Sequence, residues 1–192
     1  MNHRGPSGSA CRLLLIGGSL RSGSTNAAVL RTARTLAPPG ATVTVYTELA
    51  KLPHFNTDDE VSSLPATVVT LRSALANTDA VLFSTPEYAG SLPGSFKNLL
   101  DWTVGEGLQE KPVGWINASA HAAADGAHHT LRVVLDYVNA DLVEDACVKI
   151  PVRREAVGPD GLIIDPEVTR AIAAVLAALV NHVASKSAAQ RG

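Results

Sequence analysis

The sequence predicts an α/β fold, a doubly wound parallel sheet with helices on both faces, and three observations carry that prediction. Short apolar or β-branched runs alternate with segments of helical periodicity from Arg12 to Val183. Five of each fit into the 192 residues, as strictly alternating units that pack into one sheet. Prolines and glycines punctuate the units at Pro38-Pro39-Gly40, Pro86 and Gly158 to Gly161.

The elements follow in chain order. "RLLLIG", Arg12 to Gly17, is an apolar run ending in glycine, which suits a strand covered on both faces. Ala27, Leu30, Ala33, Arg34 and Leu36 mark a helix that Pro38-Pro39-Gly40 stops. "ATVTVY", Ala41 to Tyr46, is β-branched and reads as the second strand. Residues 47–62 read as irregular, and Val68, Leu71 and Leu75 predict a helix over Pro65 to Asn77. "DAVLFSTP" is a third strand ending at Pro86, and "PGSFKNLLDW" opens a helix with Pro93 at its first position, where a missing N–H is harmless. "KPVGWINAS", "AHHTLRVVLDYV" and "DACVKIPV" give a fourth strand, a fourth helix and a fifth strand. "GPDG" between Val157 and Leu162 predicts a small hairpin or excursion. A last helix carries Val168, Ile172, Val175, Leu179 and Val183 on one face. These elements form one domain over residues 12–185, between a disordered N-terminal segment, 1–11, and a flexible tail, 186–192.

Composition narrows the function. The hydrophobic fraction of 46% and charged fraction of 18% are those of a compact soluble chain. A net charge of -2 with scattered basic residues leaves no footprint for nucleic acid or an anionic membrane. The apolar run from Ala171 to Val180 is shorter than the roughly 20 residues of a span. Cys11 and Cys147 are far apart, without a CxxC pattern, so a reduced, cytoplasmic setting is expected.

In open α/β sheets, ligands sit at the carboxyl ends of strands. After the first strand the chain reads "GGSLRSGSTN", where Ser19, Arg21, Ser22, Ser24, Thr25 and Asn26 crowd ahead of a helix. Unpaired N–H groups and the positive dipole end of that helix point back at the loop, an arrangement that holds phosphate. Gly17, Gly18 and Gly23 let backbone approach closely, and Arg21 adds a charge-assisted contact. The loop lacks the lysine of a Walker A motif, the spacing of GxGxxG and the second glycine of GxSxG. A helix cap alone accounts for Ser24 or Thr25 but not for the whole set.

After the third strand the chain reads "PEYAGSLPGSFKNLLDW". With "GSLRSGSTN" before it, the sequence resembles the NADPH-dependent FMN reductase family, which includes NAD(P)H:quinone and chromate reductases, over roughly Arg12 to Val183. The resemblance implies a flavodoxin-like fold with strand order 2-1-3-4-5. It implies bound FMN, with NADPH or NADH as co-substrate and hydride passed to a quinone, free flavin or similar small acceptor by a ping-pong mechanism. Ser19, Arg21, Ser24, Thr25 and Asn26 match the family's phosphate loop. Pro86, Glu87, Tyr88, Ala89 and Ser91 match the loop against the isoalloxazine ring, and Ser119 lies in the loop at its other edge. Lys97, Asn98, Asp101 and Trp102 match the supporting helix. The flavin carries the chemistry, so no catalytic side chain is expected. A homodimer or homotetramer is also implied. Two departures stand out: Ala89 replaces the family's usual Asn, and "SAHAAADGAHH" replaces a glycine-rich loop.

The alternative classes are a flavodoxin-like electron carrier and a non-catalytic flavin-binding protein. The first fits poorly with a net charge of -2, since such carriers dock through a strongly acidic face. His121, His128 and His129 lack a Cys or carboxylate at ligand spacing, so no metal site is expected. Cys147, Trp102 and Trp115 read as core, and Glu87 is not required as a base because hydride transfer to a flavin needs no side-chain acid.

Overall fold

The computed structural model describes residues 10–120 and 124–190. Five strands, β1 (Cys11–Gly17), β2 (Ala41–Tyr46), β3 (Ala80–Ser84), β4 (Pro112–Asn117) and β5 (Asp141–Lys149), form one parallel sheet in the order β2-β1-β3-β4-β5. The helices among the described residues are α1 (Thr25–Thr35), α2 (Thr57–Ser62), α3 (Ala66–Ala76), α4 (Gly94–Asp101), α5 (Asp125–Tyr137) and α6 (Pro166–Ala189). Fold class and strand order are those expected.

Helices on both faces explain why β3 and β4 read as unbroken apolar runs, for every residue of either strand is buried. One face packs Phe83 and Val113 against Leu71 of α3, Phe96 and Leu99 of α4 and Leu131 of α5. The other packs Leu15, Leu82 and Ile116 against Val29 of α1 and Leu176 of α6. By length and composition α6 is apolar enough to cross a membrane, yet Ile172, Val175, Leu176 and Leu179 lie buried on the sheet, the role expected of a docking helix.

The structure corrects several boundaries. β5 begins at Asp141 rather than Asp145, because on this edge strand Glu144 and Asp145 lie exposed at an irregularity that interrupts the β4–β5 register. The stretch expected to be irregular contains α2, whose first turn is capped by the Asn56 carboxamide oxygen accepting from the Asp58 N–H at 3.1 Å. β3 stops at Ser84, two residues before Pro86. Cys11 already belongs to β1, and residues 1–9 of the expected N-terminal segment lie outside the described residues. α6 continues to Ala189, into the span expected as a tail, because Lys186 donates to the Glu110 carbonyl at 2.6 Å and to Asp141 at 2.8 Å. The "GPDG" segment does form an excursion, closed by an antiparallel bridge between Val157 and Ile163.

After β3, Tyr88 and Ser91 exchange N–H to carbonyl bonds of 3.0 and 3.1 Å across a two-residue turn. Its residues, Ala89 (φ 51°) and Gly90 (φ 74°), are both left-handed. Asn-Gly is the favoured pair for such a turn, and alanine pays a steric penalty there. Ala89→Asn is therefore expected to stabilise the fold by roughly 0.5–1 kcal/mol, part of the left-handed penalty. An unchanged or lower denaturation midpoint would contradict the assignment.

At the opposite end of the sheet, Arg12 donates to Asp79 through its backbone N–H (2.8 Å), Nε (3.2 Å) and Nη2 (2.8 Å). The Arg12 guanidinium holds the Asp79 carboxyl below its ordinary value. A carboxylate depressed in the folded state stabilises above its unfolded pKa of about 3.9, and that contribution fades as pH falls through the folded value. Asp79→Asn should thus lower the melting temperature at pH 7 and flatten its fall between pH 5 and 2, as read by thermal denaturation across pH.

Candidate functional site

Gly18 begins the site. Its N–H donates to the Ser84 carbonyl at 2.9 Å, and a Cβ at this position would fall 2.1 Å from Thr85 Oγ1. Only glycine lets the loop after β1 press this closely on the loop after β3. The loop then turns back at Arg21, whose carbonyl accepts from the Ser24 N–H at 3.2 Å, while Ser19 Oγ accepts from the Arg21 N–H at 3.2 Å.

Ser24 is the N-cap of α1 by position, but its side chain makes no capping bond, and the first turn holds no acidic residue. The amides of that turn are left for another acceptor. A cavity of about 190 Å³ opens there, lined by Ser19, Arg21, Ser24, Thr25, Asn26 and Tyr88 among others. Among the described residues, the Arg21 guanidinium has no carboxylate partner. A cationic side chain beside uncommitted helix amides is suited to phosphate.

Asn26 is 6% exposed, at the junction of the site. Ser84 Oγ lies 2.8 Å from its Oδ1 and 3.1 Å from the Ile116 carbonyl, so one buried hydroxyl ties α1 to both central strands. With Oδ1 so engaged, the amide NH2 of Asn26 is the group left to a ligand. Thr25, Asn26 and Pro86 also line the adjoining cleft, about 650 Å³ in volume. Its walls are Thr85, Pro86 and Glu87 on one side and Ala118, Ser119 and Ala120 on the other. A cleft of this size takes a flat ring with room for a second ligand.

Glu87 fastens the two walls together. Its Oε2 accepts from the Ala127 N–H at 3.0 Å and so caps α5, whose own N-cap residue, Ala124, has no side-chain oxygen and sits at φ 70°. Gly126 completes the joint, since a Cβ there would lie 2.3 Å from the Gly90 carbonyl oxygen. Ser91 Oγ and Thr130 Oγ1 add a contact at 3.3 Å. Ala89 and Ser91 therefore form the turn and its tie to α5, and line neither cavity. The other nine expected residues line one or both.

Behind this wall, Asn98 Nδ2 and Trp102 Nε1 donate to the Pro53 carbonyl at 2.8 and 2.9 Å, and Lys97 pairs with Asp101 at 2.6 Å. The helix braces the site without entering it. His128 is buried, and burial pushes its pKa below the ordinary histidine value. Its Nδ1 lies 2.6 Å from the Ala124 carbonyl, so that nitrogen carries the proton. His129 is exposed, and His121 lies outside the described residues. No three His, Cys, Asp or Glu residues assemble into a metal-holding group among the described residues. Burial raises the Cys147 thiol to about 12, which removes it as a thiolate nucleophile.

Sequence reasoning missed Arg154. It lines both cavities, with the loop after β1 on the smaller one, because the excursion after β5 folds back on α1. The Arg31 guanidinium donates to the Gly161 carbonyl at 3.0 and 3.2 Å, and Thr32 Oγ1 accepts from the Ile163 N–H at 2.8 Å. Those contacts span 130 and 131 residues, beyond the reach of local pattern. The Arg153-Arg154 pair followed by a glutamate was the only signal.

Comparisons with known proteins identify the family. The chain is 33% identical to an NAD(P)H-dependent FMN reductase of Pseudomonas aeruginosa over 172 residues, 88% of this chain and 92% of that one. It is 36% identical to a quinone reductase of Escherichia coli over 129 residues, 64% of this chain and 68% of the relative. The solved structure of FerB, a flavoenzyme NAD(P)H:(acceptor) oxidoreductase from Paracoccus denitrificans, superposes with a TM-score of 0.80 at 28% identity, over 91% of this chain and 98% of that chain. Residues 11–155 match the model of the NADPH-dependent FMN reductases, and the chain belongs to that family.

Proposed function

We propose that this chain is an FMN-dependent NAD(P)H oxidoreductase whose phosphate grip is the loop Ser19 to Asn26, and whose ring site is the cleft between Thr85–Glu87 and Ala118–Ala120. The observation that carries the reading is the uncapped start of α1 beside Arg21, which has no carboxylate partner among the described residues, in a cavity adjoining the cleft. When bound, FMN supplies the two-electron chemistry, accepting hydride from NAD(P)H and passing it to a quinone, free flavin or similar small acceptor. The ample cleft supports donor and acceptor using one face in turn, in a ping-pong order.

The protein's part is binding and orientation. Ser24, Thr25, Asn26 and Arg21 fix the phosphate end. The Thr85–Pro86–Glu87 backbone and the Ala118–Ser119 loop fix the ring between them. Glu87 is engaged with Ala127 and holds this spacing rather than moving a proton. A rim carrying Arg21, Arg153 and Arg154 supports a small anionic substrate over a basic protein partner. Exposed Val133 and Tyr137 on α5 support assembly into a homodimer or homotetramer, and two unpaired cysteines suit a cytoplasmic setting.

Arg21→Ala should weaken FMN binding by about 1.5–3 kcal/mol, the scale of a hydrogen bond to a charged group. Fluorescence titration measures this, and an unchanged affinity would place the phosphate elsewhere. Glu87→Gln should keep turnover within a few-fold, because the amide oxygen still accepts from Ala127. A loss of 10²-fold or more in the rate of flavin reduction, the scale of a lost general acid or base, would give Glu87 a proton-transfer role instead.

A further inference from the structure

A second cavity, about 730 Å³, lies beyond the cleft between the excursion after β5 and the start of α6. It shares Arg153 and Glu155 with the cleft, so the two spaces are joined at these side chains. Arg154, on the cleft side of the junction, sets a second guanidinium beside the first. Neither arginine has a carboxylate partner among the described residues. Beyond them the cavity wall is apolar, built from Pro151, Ile164, Pro166 and Val168, with Ile164 62% exposed.

This surface is preformed. The Ile164 N–H donates to the Ala156 carbonyl at 2.9 Å, the Gly158 N–H to the Leu162 carbonyl at 2.8 Å, and the excursion is pinned to α1 through Arg31 and Thr32. Asp165 Oδ1 is engaged in capping α6, accepting from Glu167 and Val168 at 2.8 and 3.2 Å. The Glu155 carboxylate has no such engagement among the described residues.

Two unpaired guanidinia followed by an apolar shelf match a molecule with a doubly charged linker and a flat heterocycle beyond it. We propose that this cavity holds the adenylate half of the nicotinamide dinucleotide. Its diphosphate crosses Arg153 and Arg154, its ribose hydroxyls meet Glu155, and its base rests on Ile164 and Pro166. The inference rests on the reductase reading, and it assigns a binding role to the one stretch of the site that local sequence pattern left unexplained.

The test uses FMN-loaded protein and two donors, NADH and its truncated form, reduced nicotinamide mononucleotide, which lacks the adenylate. Anaerobic flavin bleaching should have a kcat/KM at least tenfold lower with the truncated donor, the scale of one lost charged hydrogen bond. Arg153→Ala and the surface change Ile164→Glu should each slow bleaching by NADH without slowing the truncated donor to the same extent, so that the ratio of the two donors falls towards one. Calorimetry gives a readout independent of turnover: AMP should bind the loaded protein without releasing FMN, and each substitution should weaken it about tenfold. Equal bleaching by both donors, absent AMP binding, or AMP that expels FMN overturns the assignment. A flavin that neither donor bleaches refutes the reductase reading itself.

Discussion

The hydroxyl of Ser84 holds the site together. It sits at the buried tip of β3, within hydrogen-bond distance of Asn26 at the start of α1 and of the Ile116 carbonyl in β4. An unpaired polar group at this depth is costly, so both partners are held where the hydroxyl can reach them. The helix whose uncapped start faces the smaller cavity is thereby registered against both central strands. Gly18, bonded to the carbonyl of the same serine, brings the loop after β1 into that register.

The second fixed dimension is cleft width. The loop after β3 meets the start of α5 at Glu87 to Ala127, at the Gly90 carbonyl over Gly126, and at Ser91 to Thr130. A carboxylate that invites reading as a catalytic base turns out to be a helix cap supplied from another loop. The turn it stabilises carries alanine in a left-handed conformation, a strain of the kind that persists when surrounding contacts over-determine the backbone. The smaller cavity and the cleft are thus positioned by separate devices that meet at Asn26 and Pro86.

Most of the sheet was legible because β1, β3 and β4 are buried on both faces and announce themselves as apolar runs. β5 was misread at its start because acidic residues are tolerated on an edge strand, and α2 was missed because its stability comes from a cap rather than an apolar face. That Ser19, Arg21, Ser24, Thr25 and Asn26 would gather at one place was legible from the density of hydroxyls ahead of a helix, and they line one cavity. Arg154 was not, for its place depends on Arg31 and Thr32 capturing backbone 130 and 131 residues away. Glycine is required for two reasons: at Gly18 and Gly126 by close approach, to the Thr85 side chain and the Gly90 carbonyl, and at Gly90 by its positive φ; only the fold separates them.

The central claim is that the start of α1 grips a phosphate monoester, and comparing FMN with riboflavin tests it most directly. The two ligands share the ring and the ribityl chain and differ only in that group. Fluorescence titration of the apoprotein should show riboflavin binding at least a hundredfold more weakly than FMN, the loss expected when several charged hydrogen bonds disappear. Equal affinities would mean that the loop holds no phosphate.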